Sequence, residues 1–194
     1  MAKYYKRPKM LTCIIHDENN TIRHELLMEE LQRQGMTDYI IFPSIHDVRS
    51  VKRGINRAHK QVVEYAQLLG VKEVCVLEDD FLGTHPNSWN YFLSKKPEDF
   101  DLYLGGIYAG IISEDNTVRD YCGGHCTIVH ERFYDTYLSV PEDAHIDQAM
   151  SGLGKFVVCN PFAFIQHENL KSSNTGKIEV YRHLLQGRQL YKGG

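Results

Sequence analysis

No stretch of this chain approaches the roughly 18 consecutive apolar residues that a bilayer-spanning helix needs, so nothing in it reads as a transmembrane span. Phosphate-loop signatures are missing as well. There is neither a G-x-G-x-x-G nor a Walker lysine pattern, which counts against a kinase, an ATPase or a dinucleotide-binding dehydrogenase. Internal repeats and compositions typical of disorder are absent. Charge of one sign is not in excess either: the formal net charge is -3 over 194 residues, so global charge names no partner. Residues 1–10 are polar and basic, unlike the apolar core of a secretory leader. The expected location is the cytoplasm, with peripheral membrane contact left open.

Cysteine is scarce, with five residues and no paired pattern. Cys13, Cys75 and Cys159 sit inside apolar runs and read as small buried hydrophobes. Cys122 and Cys126 flank Gly123, Gly124 and His125, with His130 close by, but a C-x3-C without a second pair falls short of a zinc signature. Nothing requires a disulfide, which fits a reducing compartment.

What the chain does have is apolar content of 42%, enough for one sizeable core, and the length of one ordinary domain. Residues 11–16 form a short apolar run that reads as a strand, followed by the polar loop Asp17-Glu18-Asn19-Asn20. Residues 22–34 place Ile22, Leu26, Leu27, Met28 and Leu31 at helical spacing, with Thr21 as N-cap and Gly35 as C-cap. Residues 38–42 read as a strand ended by Pro43, and 48–69 as one helix or two. The wholly apolar run 74–77 is expected to be central and parallel. Short strands at 102–104, 127–129 and 156–158 complete the expected sheet, with helices at 131–138 and 146–150. This alternation predicts an α/β fold with a mostly parallel central sheet flanked by helices. It forms a single domain over residues 1–194, with a motif-bearing core at 11–175 and a helical tail at 176–194. Sheets of this kind bind ligands beyond the carboxyl ends of their strands. That rule selects the loop after His16, the segment after Leu77 and the glycines after Leu104.

The segment after Leu77 is the most informative. Glu78, Asp79 and Asp80 follow directly on a buried strand. Clustered carboxylates raise one another's pKa and call for a cation. Hard oxygen ligands favour Mg2+ or Mn2+, and such an ion can neutralise a nucleoside diphosphate as it leaves. The competing interpretation is a solvated turn that merely ends the strand. Upstream, Arg49, Arg53, Arg57 and Lys60 share one helical face, with Lys52 beside them. That stripe is either a solvated face or a contact for a donor diphosphate or an anionic acceptor. Gly105-Gly106 and Gly123-Gly124 allow the backbone to approach a ligand closely. Asp17 and Glu18 are candidates for a nucleotide base or ribose, and Arg23 for its phosphates. Basic residues near both ends (Lys3, Lys6, Arg7 and Lys9; Lys177, Arg182, His183, Arg188 and Lys192) fit an anionic acceptor such as lipopolysaccharide or a modified base in DNA.

The strand end resembles the DxD-type metal motif of glycosyltransferases with the GT-A fold. The segment Gly54-Ile55-Asn56-Arg57-Ala58-His59, a helix ending near Gly70, and then VCVLEDDF are similar to glycosyltransferase family 25, which includes lipooligosaccharide galactosyltransferases. Ala58 stands where that family usually has Ser in a Gly-x-x-x-Ser-His segment. Further on, Phe100-Asp101-Leu102-Tyr103-Leu104-Gly105-Gly106 resembles the family's Asp-x-x-x-Leu-Gly segment. His125-Cys126-Thr127-Ile128-Val129 resembles its strand before a helix. His145-Ile146-Asp147-Gln148 resembles its acidic segment near the acceptor. Pro161-Phe162-Ala163-Phe164-Ile165-Gln166-His167, then Ser172-Ser173-Asn174, resembles its Pro-x-x-x-x-Gln…Ser segment.

The resemblance implies a GT-A-like (Rossmann-like) fold and metal-dependent transfer of a hexose or pentose. The donor would be a nucleoside diphosphate sugar, expected to be a UDP-sugar, and the acceptor a hydroxyl on an anionic glycan or lipid-linked glycan. It implies direct metal coordination by Asp80. Glu78 would contact the metal through water, or the ribose, and Asp79 would orient its neighbours. His167 would be a third ligand, and His59 an active-site residue. Asp147 would be the general base that an inverting enzyme needs, with His145 as the fallback. Arg57, Gly105 and Gly106 would lie on the donor side. Four alternatives stand beside this expectation: a glycosyltransferase acting on hydroxymethylated DNA bases, a nucleotidyltransferase, a metal-dependent phosphoesterase, and a non-catalytic sugar-nucleotide-binding module. The loop HDENN lacks the Gly-rich, basic character that a nucleotidyltransferase typically shows there.

Overall fold

Strands that are apolar on both faces need cover on both faces, and this requirement organises the molecule. The computed structural model describes residues 9–168, 170–171, 176–178 and 181–194, without the side chains of 181 and 182. The basic positions 3, 6 and 7, the segment Ser172-Ser173-Asn174 and the side chain of Arg182 therefore lie outside the described residues. In chain order the elements are β1 (Met10–His16), α1 (Thr21–Gln34), β2 (Ile40–Pro43), α2 (Val51–Leu69), β3 (Glu73–Glu78), β4 (Phe81–Gly83), α3 (Ser88–Ser94) and β5 (Leu102–Leu104). They continue with β6 (Ala109–Ile112), β7 (Val118–Cys122), β8 (Cys126–His130), α4 (Tyr134–Ser139), α5 (Ile146–Met150), β9 (Phe156–Val158) and β10 (Phe164–Gln166). A 3-10 turn at Glu131–Phe133 leads into α4, and another at Tyr181–Leu185 lies in the tail.

Six strands form the central sheet in the order β2-β1-β3-β8-β5-β9. β1 pairs in parallel with β2 and β3, and β5 with β9, while β8 runs antiparallel between β3 and β5. The expected sheet of mostly one direction is present, with one reversal. The run 127–129 gave no sign of it, because a strand buried on both faces is equally apolar whichever way it points. Alternation divides the core in two. Cys13, Val74 and Val76 pack with Ala58, Val62, Val63 and Ala66 of α2 on one face. Ile14, Cys75 and Leu77 pack with Leu27 and Leu31 of α1 on the other. Each such side chain contributes about 1.5–3 kcal/mol on burial.

Helix starts differ slightly from expectation. Asn20, not Thr21, caps α1, its side-chain oxygen accepting from the Arg23 N–H at 3.2 Å. α2 begins at Val51 under the Ser50 hydroxyl, which accepts from the Arg53 N–H at 3.1 Å. Gly35 closes α1 with φ 66, as a left-handed cap requires. Two small antiparallel pairs, β4 with β10 and β6 with β7, sit beside the sheet. Both were missed in the sequence, and both carry the site. Among the described residues no helix is long and apolar enough to cross a membrane.

Candidate active site

The carboxyl ends of β1 and β3 open into a cavity of about 460 Å³, a size suited to a small ligand. The reversed β8 contributes the opposite wall. Its leading turn, Gly123-Gly124, lies at the carboxyl ends of its neighbours, and the Glu78 N–H donates to the His125 carbonyl at 3.0 Å. β10 pairs with β4 so that Gln166 opposes Phe81, and the His167 N–H donates to the Asp80 carbonyl at 2.8 Å. Tyr108, Tyr121 and Cys122 of the β6–β7 region and His145 and Asp147 at the start of α5 complete the rim.

The three carboxylates of the triplet have different surroundings. Asp79 is buried and points back into the protein. It is paired with the Arg23 guanidinium and with His16 Nδ1 at 2.8 Å, and it accepts the Asp17 N–H at 3.3 Å. Glu78 accepts from His59 Nε2 at 3.1 Å on Oε1 and from Gln166 Nε2 at 2.8 Å on Oε2. Asp80 accepts from the same Gln166 nitrogen at 2.9 Å on Oδ1 and faces Arg23 at 3.1 Å on Oδ2. Burial, followed by the repulsion of Glu78, pushes the Asp80 carboxyl up to about 7 despite Arg23. Burial would also raise Glu78, but the hydrogen bond from His59, with Arg23 nearby, holds it below the usual range. One carboxylate of the pair is thus easily ionised and the other resists, as expected for two acids sharing a site.

The donor set fits a hard divalent cation. Glu78 Oε2 and Asp80 Oδ1 converge on one point, now marked by the Gln166 amide nitrogen. Burial first, and then the charge of Glu78, disfavour the ionised Asp80 carboxyl, and a cation held there would favour it. Mg2+ and Mn2+ sites commonly use one or two carboxylates and leave the other positions to water and substrate phosphate. His167 lines the cavity but does not join these two: among the described residues, no three His, Cys, Asp or Glu side chains are gathered as a ligand set.

Asp17, Arg23, Glu78, Asp79, Asp80, His59, His145, Asp147 and His167 all line the one cavity. Their roles are not all as anticipated. Arg23, expected at the phosphates, is engaged with Asp79, Asp80 and the Lys171 carbonyl, at 3.0 Å from the last. Asp17 faces His46 at 3.3 Å. Arg57 is off the cavity, bound to Asp47 at 3.0 Å. The basic stripe is knitted to acidic loops: Arg53 contacts Asp47, Glu142 and Asp143, and Lys60 donates to the Val140 carbonyl. Gly105 and Gly106 are packed closely against neighbouring elements. A Cβ on Gly105 would lie 2.8 Å from the Phe164 ring and 2.9 Å from Cys126 Sγ, and one on Gly106 would run into the Phe164 carbonyl oxygen. The cysteines of the C-x3-C segment also part company, Cys126 being sealed in the core while Cys122 faces the cavity.

Two contributors escaped the sequence. Gln166 lies in the Pro161–His167 segment, where a glutamine beside a histidine gives no sign of its own that it bridges two carboxylates. Tyr137 sits on a short helix with no motif around it, and only the packing of α4 against α2 brings it to His59.

The chain matches no protein-family model and no curated protein sequence. Solved structures match it in fold. A glycosyltransferase involved in the glycosylation of the major capsid of PBCV-1 aligns with TM-score 0.54 at 10% identity, over 92% of this chain and 100% of that one. The mannosyltransferase PcManGT from Pyrobaculum calidifontis, solved with GDP-Man and Mn2+, aligns with TM-score 0.55 at 8% identity, over 84% of this chain and 58% of that one. The fold is GT-A-like. A197 from STIV aligns with TM-score 0.52 at 12% identity, over 81% of this chain and 85% of that one. At these identities the likeness is one of fold, so within the GT-A-like frame the activity rests on the chemistry of the cavity.

Proposed function

We propose that this chain is a metal-dependent glycosyltransferase that moves a sugar from a nucleoside diphosphate sugar to a hydroxyl acceptor, a divergent relative of glycosyltransferase family 25. The observation that carries this reading is the convergence of Glu78 Oε2 and Asp80 Oδ1 on one point at the end of β3, on the cavity of a GT-A-like fold. PcManGT, similar in fold, was solved with a nucleotide sugar and Mn2+, which supports the same ligand classes here.

Asp80 and Glu78 would hold Mn2+ or Mg2+. Bound there, the ion would supply positive charge for the donor diphosphate. Lys52, which also lines the cavity, adds charge on the phosphate side. Asp147 is the proposed general base. Its Oδ2 accepts the Gly123 N–H at 3.0 Å and its Oδ1 the Gln148 N–H at 2.8 Å. Backbone donors on both oxygens fix the carboxylate while leaving lone pairs for an acceptor proton. His145, on the same rim, is the alternate base. The donor expected from the motif resemblance is a UDP-sugar, and the GDP-mannose of PcManGT makes GDP-sugars the first comparison.

For the acceptor, a neutral hydroxyl is favoured over an anionic glycan or modified DNA. Arg53 and Arg57, two residues of the basic stripe, are already paired with Asp47, Glu142 and Asp143, and Asp17, Asp47 and Asp147 line the cavity.

Asp80→Ala should abolish both turnover and metal-dependent nucleotide binding. Asp147→Asn should keep donor binding and slow transfer by about 10²–10⁴-fold. Full activity in Asp80→Ala would sink the metal-dependent reading, and an unchanged rate in Asp147→Asn would move the base to His145.

A further inference from the structure

α2 sends a buried polar side chain beneath the end of β3. His59 is 3% exposed, with Nε2 3.1 Å from Glu78 Oε1 and Nδ1 3.1 Å from the Tyr137 hydroxyl. Tyr137, on α4, is 2% exposed. Burying two polar side chains costs free energy that apolar residues of similar size would not, so the chain of contacts needs a further reason.

The hydrogens follow from the partners. An ionised carboxylate only accepts, so the hydrogen between His59 and Glu78 sits on Nε2. In the neutral ring Nδ1 is then the acceptor, and the Tyr137 hydroxyl donates to it. Burial, with Glu78 and Asp147 nearby, pushes that phenol well above its ordinary range, so it keeps its proton. Gln166 Nε2 holds the second oxygen of Glu78 at 2.8 Å. Oε1 is therefore fixed by the imidazole, while Oε2 faces the point proposed for the cation, where the amide now stands.

We propose that Tyr137 and His59 are positioning residues: the phenol, donating to Nδ1, holds the plane of the imidazole, and the imidazole aims the Glu78 carboxylate at the cation and donor diphosphate. This inference rests on the metal-dependent transferase reading of the same site. Partners that orient a metal ligand in this way typically contribute about 10–100-fold to metal affinity.

Two measurements test it. Long-range proton–nitrogen NMR of the metal-free protein should find His59 as the Nε2–H tautomer, and in Tyr137→Phe the Nδ1 resonance should shift as it loses its hydrogen-bond donor while the hydrogen stays on Nε2. Titration with Mn2+ should show affinity lowered about 10–100-fold in His59→Leu, and lowered also in Tyr137→Phe. His59→Gln, whose amide can still donate to Glu78, should recover most of the loss. If His59→Leu fails to fold, Tyr137→Phe and the tautomer decide the matter. Wild-type Mn2+ affinity in folded Tyr137→Phe, or an Nδ1–H tautomer in the unmodified protein, would overturn the positioning role. Absence of Mn2+ uptake by the unmodified protein, with or without nucleoside diphosphate, would instead overturn the metal in the proposed function, while the tautomer would still settle whether the pair exists.

Discussion

Arg23 and Asp80 show how one pair of neighbours can carry opposite stability effects. Arg23 stands in the first turn of α1, almost fully buried, with its guanidinium shared between Asp79 and Asp80. Removing it leaves Asp79 buried with His16 as its remaining ionisable partner. Arg23→Ala should therefore cost about 3–5 kcal/mol in denaturant unfolding. A loss below about 1 kcal/mol, the scale of a surface pair, would mean that the pairing is solvent-screened. Asp80 behaves in the other sense. Its folded-state carboxyl titrates near 7 against an ordinary 3.8, so between these values the folded protein holds a proton that the unfolded chain has lost. Its contribution to stability falls as pH rises through that window. Relative to Asp80→Asn, the metal-free protein should lose stability from pH 4 to pH 7, measured as parallel unfolding curves. A gap between the two proteins that does not change with pH would contradict the raised carboxyl. Of the residues that matter here, Glu78 and Asp80 were legible because three acids after an apolar strand are costly without a function. Arg23, Gln166 and Tyr137 acquire meaning only from partners 56, 86 and 78 positions away, and no local pattern encodes those distances.

At the scale of elements, the long periodic segments were the readable ones. α1, α2, β1 and β3 announce themselves by spacing or by unbroken apolar character, and they supply the floor of the cavity. The rim is built from short pieces. β4, β6, β7 and β10 have three to five residues each, too few for a period to show against turn-like neighbours. The glycines after β5 allow a close backbone approach, and the structure shows one that the sequence does not. A backbone that must approach something closely needs glycine whether that something is a phosphate or another strand, and here it is Phe164 at the start of β10. Gly106→Ala should therefore act on stability and leave intrinsic ligand contacts alone. We expect a loss of about 1–3 kcal/mol from overpacking, with nucleotide affinity preserved in the folded fraction. An equally stable Gly106→Ala variant with weakened nucleotide binding would return these glycines to the ligand site.

Across the whole molecule, α/β alternation predicted where a ligand would sit before any partner was known, since the loops after β1 and β3 share the strand ends that open into the cavity. What alternation could not supply was the direction of β8. Its reversal brings Gly123, and through it Asp147, to face the acidic triplet. The electrostatics also emerge only at this scale. Two arginines of the basic stripe, Arg53 and Arg57, are engaged by Asp47 and the 142–143 loop, and carboxylates from several elements face the cavity. The proposed cation makes a thermal-shift experiment the most direct test: unfolding of the protein and of Asp80→Ala, each with nucleoside diphosphates and their sugars, in the presence and absence of Mn2+. The expected result is stabilisation that requires metal and nucleotide together, about 2.7 kcal/mol at a hundredfold excess over Kd, and that disappears in Asp80→Ala. No shift on well-folded protein, or an equal shift without metal, would contradict a cation held between Glu78 and Asp80.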